Sequence, residues 1–246
     1  MKPGKTHFIH LFLVLSTIVL VAAAPAYGQQ QQPQPRGYFG INVGETSDEF
    51  GGQWAKTGLA GGVEGEFTIL RGGGKNNWPS VVAGGEVVFP TNTQKHADEF
   101  AIYGGPIFRF GQKFSVGFHG QVRKILVPPS NLNGVAFNRL NMELLELPLV
   151  AEYKFSTAPR HAFVQAQIAP EFSPHYKASA PNYPLPNPSF DHGYFYRGSV
   201  GYTVGKWYAK ATYESRYFKF TPTLGNPNQI YNWRTNAVTG GVGFVF

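Results

Sequence analysis

Two pairs of residues stand close enough along the chain to suggest water activation: His96 with Asp98, and Asp191 with His192. A carboxylate that orients an imidazole lets the ring act as general base toward a bound water. Residue types alone carry that idea, since no nucleophile or third group stands at a matching spacing. Ser156 and His161, a third hydrolytic pair, flank what reads as a short turn. The chain has 0 Cys, which removes thiolate-ligated zinc, iron–sulfur clusters and cysteine nucleophiles. The other histidines are isolated and lack the close spacing of metal ligands. No catalytic residue, metal or cofactor is therefore expected, and the chain reads as a non-enzyme, with a surface hydrolase as the lesser alternative.

A larger set of charges makes sense only once the elements that carry them are drawn. With 30 Gly, 19 Pro and 15% aromatic residues in 246, the chain is too rich in breakers for a helical bundle and too aromatic for disorder. Apolar and polar residues alternate with period two, the strand signal, over about 38–45, 58–70, 79–90, 99–110, 113–124, 143–155, 161–172, 193–204, 206–220 and 234–246. Successive side chains of a strand face opposite ways, so the placement of charge within each alternation is informative. Phe114, Val116, Phe118 and Val122 share one face while His119, Gln121 and Arg123 share the other. Leu145, Leu147, Leu149, Tyr153 and Phe155 oppose Glu146, Glu152 and Lys154; Trp207, Ala209, Ala211 and Tyr213 oppose Lys210, Glu214 and Arg216. Val63 and Phe67 oppose Glu64 and Glu66, and Glu86, Arg109 and Arg197 keep the polar parity of their segments. Glu64, Glu66, Glu86, Arg109, His119, Arg123, Glu146, Glu152, Arg197, Glu214 and Arg216 are the expected polar interior, with Arg123 and Arg197 expected to meet Glu146 and Glu214. Lys124, Lys219 and Arg234 break parity at segment ends.

Most of these segments reach the 9–11 residues, roughly, that a tilted strand needs to cross a bilayer. Connections alternate between long (46–57, 91–98, 125–142, 173–192, 221–233) and short, and all three Asp fall in the long ones. Aromatics cluster beside the short turns and termini: Trp78, Phe110, Phe114, Tyr153, Phe155 and Trp207 form an expected girdle at one depth. The start of the chain carries Lys2 and Lys5, then the apolar run Leu11 to Ala24, then small residues, as a secretory leader does. The expected division is a leader over 1–28, a flexible Gln/Pro-rich lead-in over 29–36 and one β-domain over 37–246. The formal charge of +7 falls to about +5 without the leader, too mild to argue for nucleic acid.

The chain ends Thr239-Gly240-Gly241-Val242-Gly243-Phe244-Val245-Phe246. Thr239, Gly241, Phe244 and Phe246 match the polar residue, glycine and alternate aromatics of the C-terminal β-signal of bacterial outer-membrane proteins. With the leader and the alternation, residues 37–246 resemble the outer-membrane β-barrel superfamily of porin-like and OmpA-like barrel domains. The resemblance implies an all-β, antiparallel up-and-down transmembrane barrel, ten strands preferred and eight as the alternative, assembled by the barrel assembly machinery in a Gram-negative outer membrane. No cell-wall-binding domain is expected after the barrel. Its partners would be outer-membrane lipid and lipopolysaccharide, the latter through Lys56, Lys95, Arg139, Lys177 and Arg234. The Pro-rich loop over 173–192 would serve a surface ligand. The expected object is a monomer with a closed or narrow polar lumen and a structural or surface-interaction role. A small diffusion pore is the alternative, and a rim protease like the ten-stranded omptins comes last, because the spacing of His96, Asp98, Asp191 and His192 departs from the omptin pattern.

Overall fold

A computed structural model of the chain describes residues 37–50, 53–54, 58–72, 78–90, 98–127, 130–132, 135–137, 139–179, 189–221 and 231–246. The leader, the lead-in, Lys56, Lys95, His96 and residues 180–188 of the Pro-rich loop lie outside these. Ten strands make the domain: β1 Gly37–Phe50, β2 Gly58–Leu70, β3 Ser80–Pro90, β4 Asp98–Phe110, β5 in two stretches Phe114–Phe118 and Gly120–Val127. They continue with β6 as Arg139–Glu146 and Leu149–Lys154, β7 Arg160–Ser179, β8 Ser189–Val204, β9 Trp207–Thr221 and β10 Tyr231–Val245. Each pairs antiparallel with the next, and β1 pairs with β10 from Tyr38 opposite Val245 to Phe50 opposite Trp233. The seam is locked at its end, where Gly37 N–H donates to the Phe246 carbonyl at 3.1 Å and Phe246 N–H returns to Gly37 at 3.0 Å. The sheet is a closed ten-stranded up-and-down barrel, which leaves no ladder edge unsatisfied in lipid.

The tightest turns, after β4 and β8, use Gly111 and Gly205 at φ of 68° and 62°, a region that costs other residues a clash with their own Cβ. These turns lie at the end that carries both termini, the periplasmic end of outer-membrane barrels. At the other end the strands run past the expected boundaries. Asp48, Asp98 and Asp191 stand on β1, β4 and β8 rather than in loops. Arg139 and Lys177 are likewise strand residues, and the segment expected as one loop over 173–192 is strand through Ser179 and again from Ser189. Extended antiparallel pairing satisfies backbone groups that a long loop would leave to water.

One local break is explained by proline. Pro148 cannot donate to the ladder, so β6 is interrupted there; its carbonyl accepts the His119 N–H at 2.9 Å, which interrupts β5 opposite it. The usual order of inside and outside is inverted. Leu147, Ile168, Val200 and Val242 are more than half exposed, while Arg123, Arg216 and Glu146 are at most 1% exposed. Such a surface is tolerable only against hydrocarbon. The girdle residues Trp78, Phe110, Phe114, Tyr153, Phe155 and Trp207 are all exposed on that surface. Three pairs make edge or tilted contacts: Phe110 with Phe114 at 5.8 Å, Tyr153 with Phe155 at 5.3 Å, and Trp207 with Phe244 at 5.5 Å.

Candidate functional site

The lumen is crossed by a ring of alternating charge. Arg216 meets Glu214 at 3.4 Å, Glu214 meets Arg197 at 2.5 Å and Arg197 meets Glu86 at 2.7 Å. Glu86 meets Arg123, Arg123 meets Glu99 at 3.1 Å, and Glu99 closes the circuit on Arg216 at 2.7 Å. Phe195 fills the middle, with the guanidinium groups of Arg216, Arg197 and Arg123 at 4.8, 5.3 and 5.7 Å from its centroid. Glu146 and Glu171 flank the ring: Arg123 Nε donates to Glu146 at 3.2 Å and Arg216 Nε to Glu171 at 2.7 Å, while the Gln121 amide also donates to Glu146. The planar guanidinium explains the choice of arginine. Its fork reaches two or three carboxylates at fixed angles, which a lysine ammonium on a flexible stem does not.

On the periplasmic side the ring gives way to a second group. Lys210 meets Glu64 at 2.5 Å, and the Tyr208 hydroxyl donates to the same carboxylate at 3.2 Å. Tyr208 stands where the backbone has no side chains: a Cβ on Gly40 would lie 2.1 Å from its hydroxyl, and one on Gly243 would lie 2.4 Å from its ring. Tyr38 packs edge-on against Tyr208 at 5.9 Å and has its hydroxyl 3.4 Å from that of Tyr103, which stacks on His119 at 5.1 Å. On the extracellular side of the ring an apolar layer follows, of Ile125, Met142, Phe218 and Trp233, each at most 1% exposed, with Phe218 stacked on Trp233 at 5.1 Å.

Beside the ring, along β10, β1 and β2, lies a cavity of about 60 Å³ lined by Asn42, Thr46, Ala60, Thr212, Thr235 and Thr239 together with ring carboxylates. That holds a few waters and falls far below the roughly 300–1,000 Å³ of small-molecule sites.

The interior residues named from sequence divide into two groups. Glu86, Arg123, Glu146, Arg197, Glu214 and Arg216 meet in and around the ring, and Glu64 joins the group below it. Glu66 and His119 sit among the periplasmic tyrosines. Arg109 and Glu152 do not reach the ring: Arg109 is exposed at the periplasmic mouth and donates to Ser80 at 2.6 Å, and Glu152 lies 3.5 Å from Lys154. Both lie on the periplasmic side of the ring, within electrostatic reach of Glu66. Sequence reasoning missed Glu99, Phe195 and the tyrosines. Glu99 keeps the inward parity of β4, so period two held the signal for it; an apolar Phe195 among charges has none.

Of the hydrolytic pairs, Asp191 and His192 are 3.3 Å apart on the outer rim, where Asp191 is also bound to Lys219 at 2.8 Å. Asp191 falls in a register shift of β8 that carries it out of the ladder. Asp98 opens β4. Among the described residues no cluster of His, Asp or Glu is arranged to hold a metal ion. At the seam Thr239 lines the cavity, Phe244 stacks on Phe246 at 6.5 Å, and a Cβ on Gly241 would meet the Ile41 carbonyl at 3.0 Å.

No family model matches the chain, and no curated protein matches it in sequence. Among solved structures it is similar to the outer membrane protease OmpT from Escherichia coli, at 9% identity and a TM-score of 0.51, over 88% of this chain and 99% of that one. Looser matches are Neisserial surface protein A (12% identity, TM-score 0.40, 87% of this chain and 100% of that one) and OprG from Pseudomonas aeruginosa (9%, 0.40, 88% and 99%). The likeness is one of fold. The closed barrel, its apolar outer belt and its charged lumen together define a small outer-membrane β-barrel. Its apolar outer belt and closed ladder suit it to span a bilayer.

Proposed function

We propose that this barrel has a closed lumen and works through its outer surface, as a structural or surface-interaction protein exported with a cleaved leader. The observation that carries the reading is the ring around Phe195, capped by Ile125, Met142, Phe218 and Trp233. A ring in which every arginine is paired with carboxylates gives a hydrated ion no free charge to bind, and breaking it is expensive. The experiment is single-channel recording of the refolded chain in a planar bilayer, beside a gel that compares heated and unheated migration. Heat-modifiable migration without discrete open steps is expected; stable steps in the unmodified protein would replace this reading with a narrow pore.

A pore has one observation in its favour, the cavity along β10, β1 and β2. The protease reading draws on OmpT by fold alone, and the Asp191 carboxylate is engaged by Lys219. No peptide cleavage is expected.

A further inference from the structure

The charges gathered around Phe195 do not balance. Three arginines, Arg123, Arg197 and Arg216, share five carboxylates, Glu86, Glu99, Glu146, Glu171 and Glu214. Lys210 does not change the sum, because Glu64 of the lower group offsets it. A buried carboxylate without a compensating charge is costly, so the surplus must be met in some other way. Glu86, Glu99 and Glu214 line the cavity beside the ring, where water can share their charge. Glu146 and Glu171 do not line it, and both side chains are fully buried. They stand opposite each other in the register of β6 and β7, within hydrogen-bonding reach. Glu146 is well supplied as an anion: the Gln121 amide and Arg123 Nε donate to it, and Arg216 lies 3.6 Å away. Glu171 is not. Arg216 Nε donates to its Oε1 at 2.7 Å, while its Oε2 has no partner among the described residues. On its other side the register neighbour is Gly193 of β8, which brings no side chain. The other charged groups around the pair are Arg216 and Glu214 of β9, Arg123 of β5 and Glu99 of β4, with Arg197 of β8 and Glu86 of β3 farther round the ring. None of them donates to Glu171 Oε2.

Two ionised carboxylates have no hydrogen to place between them, whereas a neutral carboxyl beside an ionised one has. We propose that the closed barrel binds one proton here at neutral pH, held on Glu171 as a neutral carboxyl whose O–H donates from Oε2 to Glu146. The proton fills the vacant place on Oε2, removes one surplus charge and leaves Oε1 free to accept from Arg216. In the unfolded chain water ionises both glutamates at neutral pH, so closing the barrel takes up a proton from solvent. The stability this gives is present at low pH and is lost as pH rises toward the point at which the folded barrel releases the proton. The inference rests on the charge count and the geometry of the pair, and holds whether or not the lumen conducts.

Infrared spectroscopy of the detergent-folded full chain near neutral pH, in H2O and in D2O, tests it. Wild type minus E171Q should show the carbonyl stretch of one neutral carboxyl, moved to lower frequency in D2O, and E152Q, on the periplasmic side, should keep that band. The glutamine of E171Q preserves the shape and the hydrogen-bond pattern of a neutral acid, so urea titration gives a second reading. The folding equilibrium constant of wild type relative to E171Q should fall about tenfold per pH unit between about pH 6 and 8, the signature of one proton taken up. Heat-modifiable migration shows that each barrel is closed. Should E171Q fail to fold, E171D keeps an acid on a shorter stem and should move the band; an unmoved band would overturn the proposal. So would a difference spectrum without a neutral-carboxyl band, loss of the same band in E152Q, or a stability ratio that does not change with pH.

Discussion

The two halves of the lumen solve one problem in opposite ways. Across β3 to β9 the interior is filled by long charged side chains, three Arg and the carboxylates of Glu86, Glu99, Glu146, Glu171 and Glu214, held around Phe195. Along β10, β1 and β2 the stretch beside the ring is lined mainly by Thr, Ala, Asn and Gly, with Glu64 among them, and a small cavity remains. The first half is rigid because every arginine serves several carboxylates at once, so no member moves without stranding a partner. The second half makes few demands on its lining, and its periplasmic floor depends on one large side chain, Tyr208, standing over Gly40 and Gly243.

The contrast can be broken most severely at Arg216, which is fully buried and contacts Glu99, Glu171 and Glu214. Arg216→Met strands buried carboxylates and should cost about 3–5 kcal/mol, read as a lower urea midpoint of the detergent-folded barrel. Ala237→Ser on the opposite wall should stay within about 0.5 kcal/mol in the same assay; a comparable loss there would mean that the two halves do not differ.

A smaller effect is expected at the floor. Tyr208→Ala removes a hydrogen bond to Glu64 at a cost of about 1–3 kcal/mol, and it joins the cavity to the periplasmic end. Discrete open steps should appear in bilayers with this variant and be absent with Tyr208→Phe, which keeps the ring. Silence from both would place the barrier at the arginine ring alone.

The least effect belongs to the exposed rim. The hydrogen bond from Lys219, then that from His192, holds the Asp191 carboxyl below its ordinary range. A lowered carboxyl keeps its pair intact above the ordinary carboxylate range and loses it only as pH falls through the lowered value. The NMR titration of Asp191 should therefore move upward in Lys219→Met, with no change in barrel stability near neutral pH; an unmoved midpoint would leave Lys219 without a part in it.

Period two was enough to find most of the interior, because a closed sheet keeps one parity inside from end to end. It found Arg123, Arg197 and Arg216 and their carboxylates, and it assigned Lys124 and Lys219 to strand ends, where they meet Glu143 and Asp191. It erred where alternation ceases to report depth. Arg109 and Glu152 have inward parity but sit on the periplasmic side near Glu66 and not in the ring, and the prolines of 173–192 conceal strand continuity through Ser179.

Alternation, segment length and the aromatic chain end by themselves pointed to an antiparallel membrane barrel of ten strands, or eight, because those patterns follow from lipid on one face and the backbone's need for closure; the structure decided ten. Which charges meet was decided only by tertiary structure. Arg216 and Glu99 are far apart in sequence and lie on strands that are not neighbours, and the stagger of the closed sheet brings them to 2.7 Å around Phe195.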